Sequence, residues 1–239
     1  MKLKYRPEID SLRAISVLGV IIYHSKIYFF GELFFQGGYY GVDIFFVISG
    51  YLITSIIYED LSKNNFSLKK FYVKRCRRIF PALIFTILIS LLLSWYSVMP
   101  ISFIEYAKSI IYSLIFVSNY YFHISGLEYG AVSGLLKPLL HTWSLAIEEQ
   151  FYIIFPLLFI FGFRKLRKSL IFYLGILLFV SFLIAIYYSN FNPNFNFYFI
   201  GSRAWELLIG SLLFLLSQKS NLKIKTFYSN VITFFGLLL

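Results

Sequence analysis

Charge and cysteine are both scarce in this chain. Only 14% of its 239 residues are charged, against roughly 25% in soluble domains. At the same time 59% are hydrophobic, more apolar surface than a water-soluble globule of this length can hide. A lone cysteine, Cys76, excludes an internal disulfide and a thiolate metal cluster. Nothing in its basic surroundings, VKRCRRIF, asks for an oxidising compartment. Heptad repeats and low-complexity tracts are missing, so the chain is neither a coiled coil nor a disordered tail. No stretch reads as a soluble domain.

What the chain does have is long apolar runs. A helix needs roughly 20 residues to cross about 30 Å of hydrocarbon. Runs of that kind cover 12–30, 41–59, 79–97, 103–122, 144–163, 169–188 and 203–217. Another begins near Phe227 and is cut by the chain end at Leu239. The expectation is an all-α, polytopic transmembrane helix bundle of seven or eight spans, with residues 1–239 as a single membrane domain. The opening MKLKYRPEIDSLRAISVLGVIIYH is too long for a signal peptide. It carries Arg13 at the start of its apolar part, and no small-residue cleavage site follows, so the first helix is retained. The segment NFNPNFNFYF at 190–199 reads as an interfacial loop.

The net charge of +11 is concentrated at 69–78, 164–168 and 219–225. Each cluster abuts an apolar span, which favours cytoplasmic anchoring over nucleic-acid binding. Lys2, Lys4 and Arg6 place the N-terminus in the cytoplasm by the same rule. An even number of crossings must then separate 69–78 from 164–168, yet three candidate spans lie between them. Segment 103–122 is the weakest, with Glu105, Lys108 and Asn119. Either it lies in the interface, or the following ISGLEYGAVSGLLKPLL re-enters and supplies another crossing. After 168 the pattern alternates regularly, which puts HTWSLAIEEQ near the outer face.

Ionisable groups inside spans are costly and point to function. Arg13 and His24 are separated by eleven residues, about 20° beyond three full helical turns and roughly 16 Å along the axis. They share a face. Arg13 could instead snorkel to headgroups while His24 marks the outer boundary. Histidine is the side chain best able to take and return a proton near neutral pH. Asp43 falls in the first turn of its span, where an acid favours the helix dipole or orients an Arg or His on a neighbouring helix. The run KKFYVKRCRRIFPALIF sets Arg75, Arg77 and Arg78 ahead of Pro81, which fits the first turn of a helix. The patch serves as a positive-inside anchor or as a phosphate site, since guanidinium forks bind phosphate oxygens bidentately. In HTWSLAIEEQFYIIFP, Ser144 fits the helix N-cap and Trp143 an interfacial anchor, with His141 ahead of the helix. Glu148 and Glu149 lie about 100° apart, so at most one faces a given pocket squarely. In GSRAWELLIG, Arg203 and Glu206 can pair at i,i+3.

Five of these stretches, in order, resemble the acyltransferase-3 family of integral-membrane O-acyltransferases. They are YRPEIDSLRAISVLGVIIYH, GGYYGVDIFFVISGYLI, KRCRRIFPAL, LHTWSLAIEEQFYIIFP and SRAWELLIG. The resemblance implies transfer of an acyl group, commonly acetyl, from cytoplasmic acyl-CoA to a hydroxyl of a glycan or lipid-linked acceptor. It implies a bacterial inner-membrane location and no metal. It sets the family's arginine–histidine motif on Arg13 and His24, and its CoA-phosphate motif on Arg75, Arg77, Arg78 and Pro81. Its remaining polar motif falls on His141, Trp143, Ser144, Glu148 and Glu149. The family usually has ten or so spans, more than this chain provides.

The roles expected from these residues follow thioester chemistry, which needs a deprotonated nucleophile, a held donor and a stabilised oxyanion. His24 is the general base, or in a variant a transient acyl carrier. Arg13 holds or polarises the donor. Glu149, with Glu148 as second choice, orients His24 or binds the acceptor. A glycan or lipid transporter or a non-catalytic scaffold is the rival reading, with the same polar groups lining a path.

Overall fold

The structure, a computed structural model, describes residues 6–97, 100–127 and 137–219. The run starting near Phe227, most of cluster 219–225 and most of the Gly-rich stretch lie outside the described residues. Among the described residues the protein is all-α, with two-residue strands β1 (Tyr28–Phe29) and β2 (Glu32–Leu33) as a small antiparallel hairpin. The long helices are α1 (Pro7–His24), α2 (Gly41–Ser62), α3 (Leu68–Ser97), α6 (Thr142–Lys165), α7 (Leu170–Phe191) and α9 (Ile200–Lys219). Shorter helices are α4 (Pro100–Leu114), α5 (Ser118–Leu127) and α8 (Pro193–Tyr198). Five of them, α2, α3, α6, α7 and α9, are long and apolar enough to cross a membrane.

Helix α1 begins as its sequence dictates. Pro7 occupies the first turn, where its missing N–H costs nothing, and Glu8 and Asp10 favour the positive end of the dipole. The helix stops at His24 rather than near residue 30, because Lys26 takes a left-handed φ of 49° and turns the chain into the hairpin. Helix α3 departs from expectation in the other direction. It starts at Leu68 and runs through Pro81, so the proline lies inside the helix and the basic run forms its first turns. Helix α6 begins at Thr142, with His141 at the cap position. Ser144 is already helical, and its hydroxyl donates back to the His141 carbonyl at 3.1 Å instead of capping.

The centre of the bundle is the crossing of α2 and α9. A Cβ on Gly50 would overlap the Leu207 carbonyl, and one on Gly210 would overlap the Val47 carbonyl. Small residues let helix backbones touch where no hydrophobic effect drives them together. Around this crossing pack Phe46, Ile53 and Ile57 of α2, Leu207 of α9, and Phe155 and Phe159 of α6, all fully buried. Helix α7 packs along α9, where Ser181 donates to the Gly201 carbonyl at 2.6 Å and accepts from the Trp205 amide at 2.9 Å. Its other side, with Phe172, Phe179 and Val180, is exposed and apolar, as a lipid-facing surface must be.

Segment 103–122 is not one span. It breaks at Phe116, which adopts φ 56°, and α4 and α5 fold back on each other as a helical hairpin. Tyr112 of α4 stacks on Tyr121 of α5 at 4.7 Å. Helix α4 runs antiparallel to α3, with Phe103 against Trp95, Tyr106 against Ser90 and Phe116 against Phe80. The hairpin tip is therefore level with the middle of α3, and the chain returns to the side it came from. Among the described residues only α3 and α6 then cross between clusters 69–78 and 164–168, which puts both on one face of the bundle. Tyr72 bonded to Ile153 and Tyr58 against Phe163 fix that antiparallel arrangement.

Irregular backbone at that depth must be satisfied by protein, and Gln150 does so. Its amide nitrogen donates to the Phe116 carbonyl at 2.9 Å and to Asn119 Oδ1 at 2.8 Å, while Asn119 Nδ2 donates to the Tyr198 carbonyl at 2.9 Å. Removing Gln150 leaves two part-buried acceptors without that donor, which costs up to about 1–3 kcal/mol each. Gln150→Leu is expected to lower the thermal midpoint of the detergent-solubilised protein by several degrees. An unchanged midpoint would show that water satisfies the bend.

Candidate active site

The helix ends sort the polar groups onto two faces. One holds the start of α1, the end of α2, the start of α3 and the end of α9. There Lys70, Lys74 and Arg78 recur every four residues along α3, on one stripe. With Arg75, Asp60, Asn65 and Ser67 they line a cavity of about 300 Å³. Arg77 is exposed and is not part of that lining, since two residues rotate a side chain about 200° around the helix from Arg75. Arg75 is drawn inward, its guanidinium 4.8 Å over the ring of Tyr152 and 5.8 Å over Phe71.

Towards the other face, α1, α2 and α6 enclose an apolar cleft of about 230 Å³ lined by Val17, Val20, Ile21, Phe45 and Phe46, with Ser144 and Glu148 from α6. Both oxygens of Glu148 are engaged. Ser49 donates to Oε1 at 3.0 Å, and the Tyr152 hydroxyl donates to Oε2 at 3.3 Å. Arg13 of α1 and Arg75 of α3 both lie within electrostatic range of this carboxylate. Glu149, one residue on, is turned away from the cleft. It is buried, its Oε1 has no hydrogen-bond partner among the described residues, and it lies within electrostatic range of Arg75 and Arg78. Of the two glutamates, Glu148 is the one beside α1.

Arg13 lies 3.8 Å from Asp10 and 5.9 Å over Phe45, and it lines a cavity of about 470 Å³ with Arg6, Tyr51 and Gln218. His24 is exposed at the last position of α1, its ring edge-on to Tyr23. It lines none of these cavities, but it follows Val17, Val20 and Ile21 on their stripe, one turn beyond the cleft wall.

Arg203, Asp43 and Glu206 form a separate cluster where α9 meets α2. Arg203 Nη2 donates to Asp43 Oδ1 at 2.6 Å, and Nη1 stands 2.9 Å from Glu206 Oε1. The second contact is an ion pair without hydrogen-bond alignment; Glu206 is almost fully buried, and among the described residues neither of its oxygens has a hydrogen-bond partner. The guanidinium is caged by Phe46, Trp143 and Phe197 at 5.6, 5.9 and 5.7 Å. Trp143 is thus buried in this cage, while His141 remains exposed ahead of α6.

Ser49 and Tyr152 are absent from the sequence-based site. Both are uncharged residues in apolar runs, and only the i,i+4 spacing of Tyr152 from Glu148 signalled a shared face.

This arrangement, a basic cavity joined across a packed core to a carboxylate-floored cleft, belongs to a member of the acyltransferase-3 family: that family's acyltransferase domain matches residues 6–239. The peptidoglycan O-acetyltransferase OatA of Listeria monocytogenes is 38% identical over 218 residues, which is 88% of this chain and 34% of that protein. An uncharacterised protein of Haemophilus influenzae is 39% identical over 188 residues, covering 75% of this chain and 76% of its own length. The chain thus spans about a third of the named O-acetyltransferase it matches. No solved structure matches.

Proposed function

We propose that this chain forms the multi-pass membrane part of an O-acetyltransferase that moves an acetyl group from cytoplasmic acetyl-CoA to a hydroxyl of a cell-envelope glycan. The observation that carries this reading is that Glu148, which lines the cleft, is hydrogen-bonded by Tyr152, whose ring lies under Arg75 of the basic cavity. The membrane is the bacterial inner membrane, with the basic face and the N-terminus in the cytoplasm. Lys70, Lys74, Arg75 and Arg78 are suited to the phosphates of the donor, as ammonium and guanidinium groups grouped on one wall. The name of the Listeria relative supports peptidoglycan as the kind of acceptor.

In the transfer, the acceptor hydroxyl gives its proton to His24 as its oxygen attacks the thioester carbonyl. The carbon–sulfur bond then breaks, and the thiolate leaves and recovers the proton from the imidazolium. Arg13, in the neighbouring cavity, holds or polarises the donor, and Glu148, within electrostatic range of Arg13, lines the cleft.

The test uses the full-length protein in membrane vesicles, supplied with acetyl-labelled CoA and cell-envelope glycan. Label is expected in the glycan, with about 42 Da added per modified site. Arg75→Gln with Arg78→Gln is expected to raise the donor KM by an order of magnitude or more, from the loss of two charge-assisted contacts. Thiol release without glycan labelling, or an unaltered donor KM in the double variant, would overturn the assignment.

A further inference from the structure

We infer that Tyr152 is a positioning residue that couples the basic cavity to the cleft, holding a cation against its ring and the carboxylate at its hydroxyl. The inference rests on the reading of the basic cavity as the donor site. Tyr152 lies one turn past Glu148 on the same face of α6, only 5% exposed. A phenol has a single proton to donate, and here it goes to Glu148 Oε2 at 3.3 Å. With Ser49 on Oε1 at 3.0 Å, the plane of the carboxylate is fixed towards the cleft. The other aspect of the same side chain, its ring face, lies under Arg75 at 4.8 Å. Cations favour the negative face of an aromatic ring, so the ring sets where the Arg75 fork points. One rigid side chain therefore aims two groups, one through its hydroxyl and one through its ring face, and its two functions separate chemically. The hydroxyl serves the cleft and the ring serves the cavity.

That separation gives a test that a purely space-filling tyrosine fails. Full-length variants are assayed in vesicles with acetyl-CoA as the varied donor. Y152F keeps the ring and loses the proton. It is expected to lower kcat roughly tenfold, the worth of a hydrogen bond to a charged group, with donor KM unchanged within about twofold. Y152L loses both features and is expected also to raise donor KM about fivefold, through the lost cation–ring contact. S49A, which bares the other oxygen, is expected to follow Y152F in lowering kcat alone. Should Y152F leave kcat within about twofold of wild type, or move donor KM as far as Y152L does, the inference is overturned. An unaltered donor KM in the Arg75 and Arg78 double variant overturns the donor-site reading instead, so the two failures are distinguishable.

Discussion

Vesicles carrying His24→Ala will lose acetyl transfer by a factor of about 10²–10⁴, the contribution of a positioned acid–base group. The size of that effect matters because the structural cost is small. His24 is exposed, at the last residue of α1, and contacts the ring of Tyr23 beside it. Exposed substitutions of this kind change stability by about 0.5 kcal/mol or less. A large loss of turnover in a protein that inserts and melts normally would then point to chemistry or acceptor binding at His24 and not to folding. His24→Gln, which keeps a polar side chain of similar reach but cannot shuttle a proton, should be as inactive as the alanine variant. Wild-type turnover in either variant would remove His24 from the mechanism and leave Glu148 as the group to examine.

Gly50→Leu will abolish the fold rather than the chemistry. Even the first carbon of the new side chain would overlap the Leu207 carbonyl, so α2 and α9 must move apart. Overpacking of a core costs about 1–3 kcal/mol where side chains can yield; here the obstacle is backbone, and the displaced helices also carry the Asp43–Arg203 pair. The expected result is aggregation on detergent extraction, read by size-exclusion chromatography. Gly175→Ala is the matched control, because nothing lies within 4 Å of its added Cβ on α7. Its effect should be neutral or stabilising by up to about 1 kcal/mol, from the better helix propensity of alanine. A monodisperse, thermally normal Gly50→Leu protein would refute the close crossing of α2 and α9.

The long helices and the Arg203–Glu206 pairing were legible in the sequence because both depend on local spacing. Hydrophobic length marks α2, α3, α6, α7 and α9, and an i,i+3 interval suffices for the pair. Contacts set by distant residues were not legible. Asp43 meets Arg203 across 160 positions. The break at Phe116 depends on Gln150, 34 residues away, to satisfy its carbonyl. The preference for Glu148 over Glu149 at the cleft is a matter of how α6 is rotated, which its packing on α5, α2 and α9 together sets. Ser144 had the chemistry of a cap, but the turn at residues 138–141 had already started the helix.

The hairpin of α4 and α5 has one more consequence. A segment that enters and leaves by the same side adds nothing to the count of traverses. Lengthening, shortening or deleting it would leave every later helix pointing the same way. The orientation of α6, and with it the side of the bundle on which Glu148 sits, is thereby independent of changes within that hairpin.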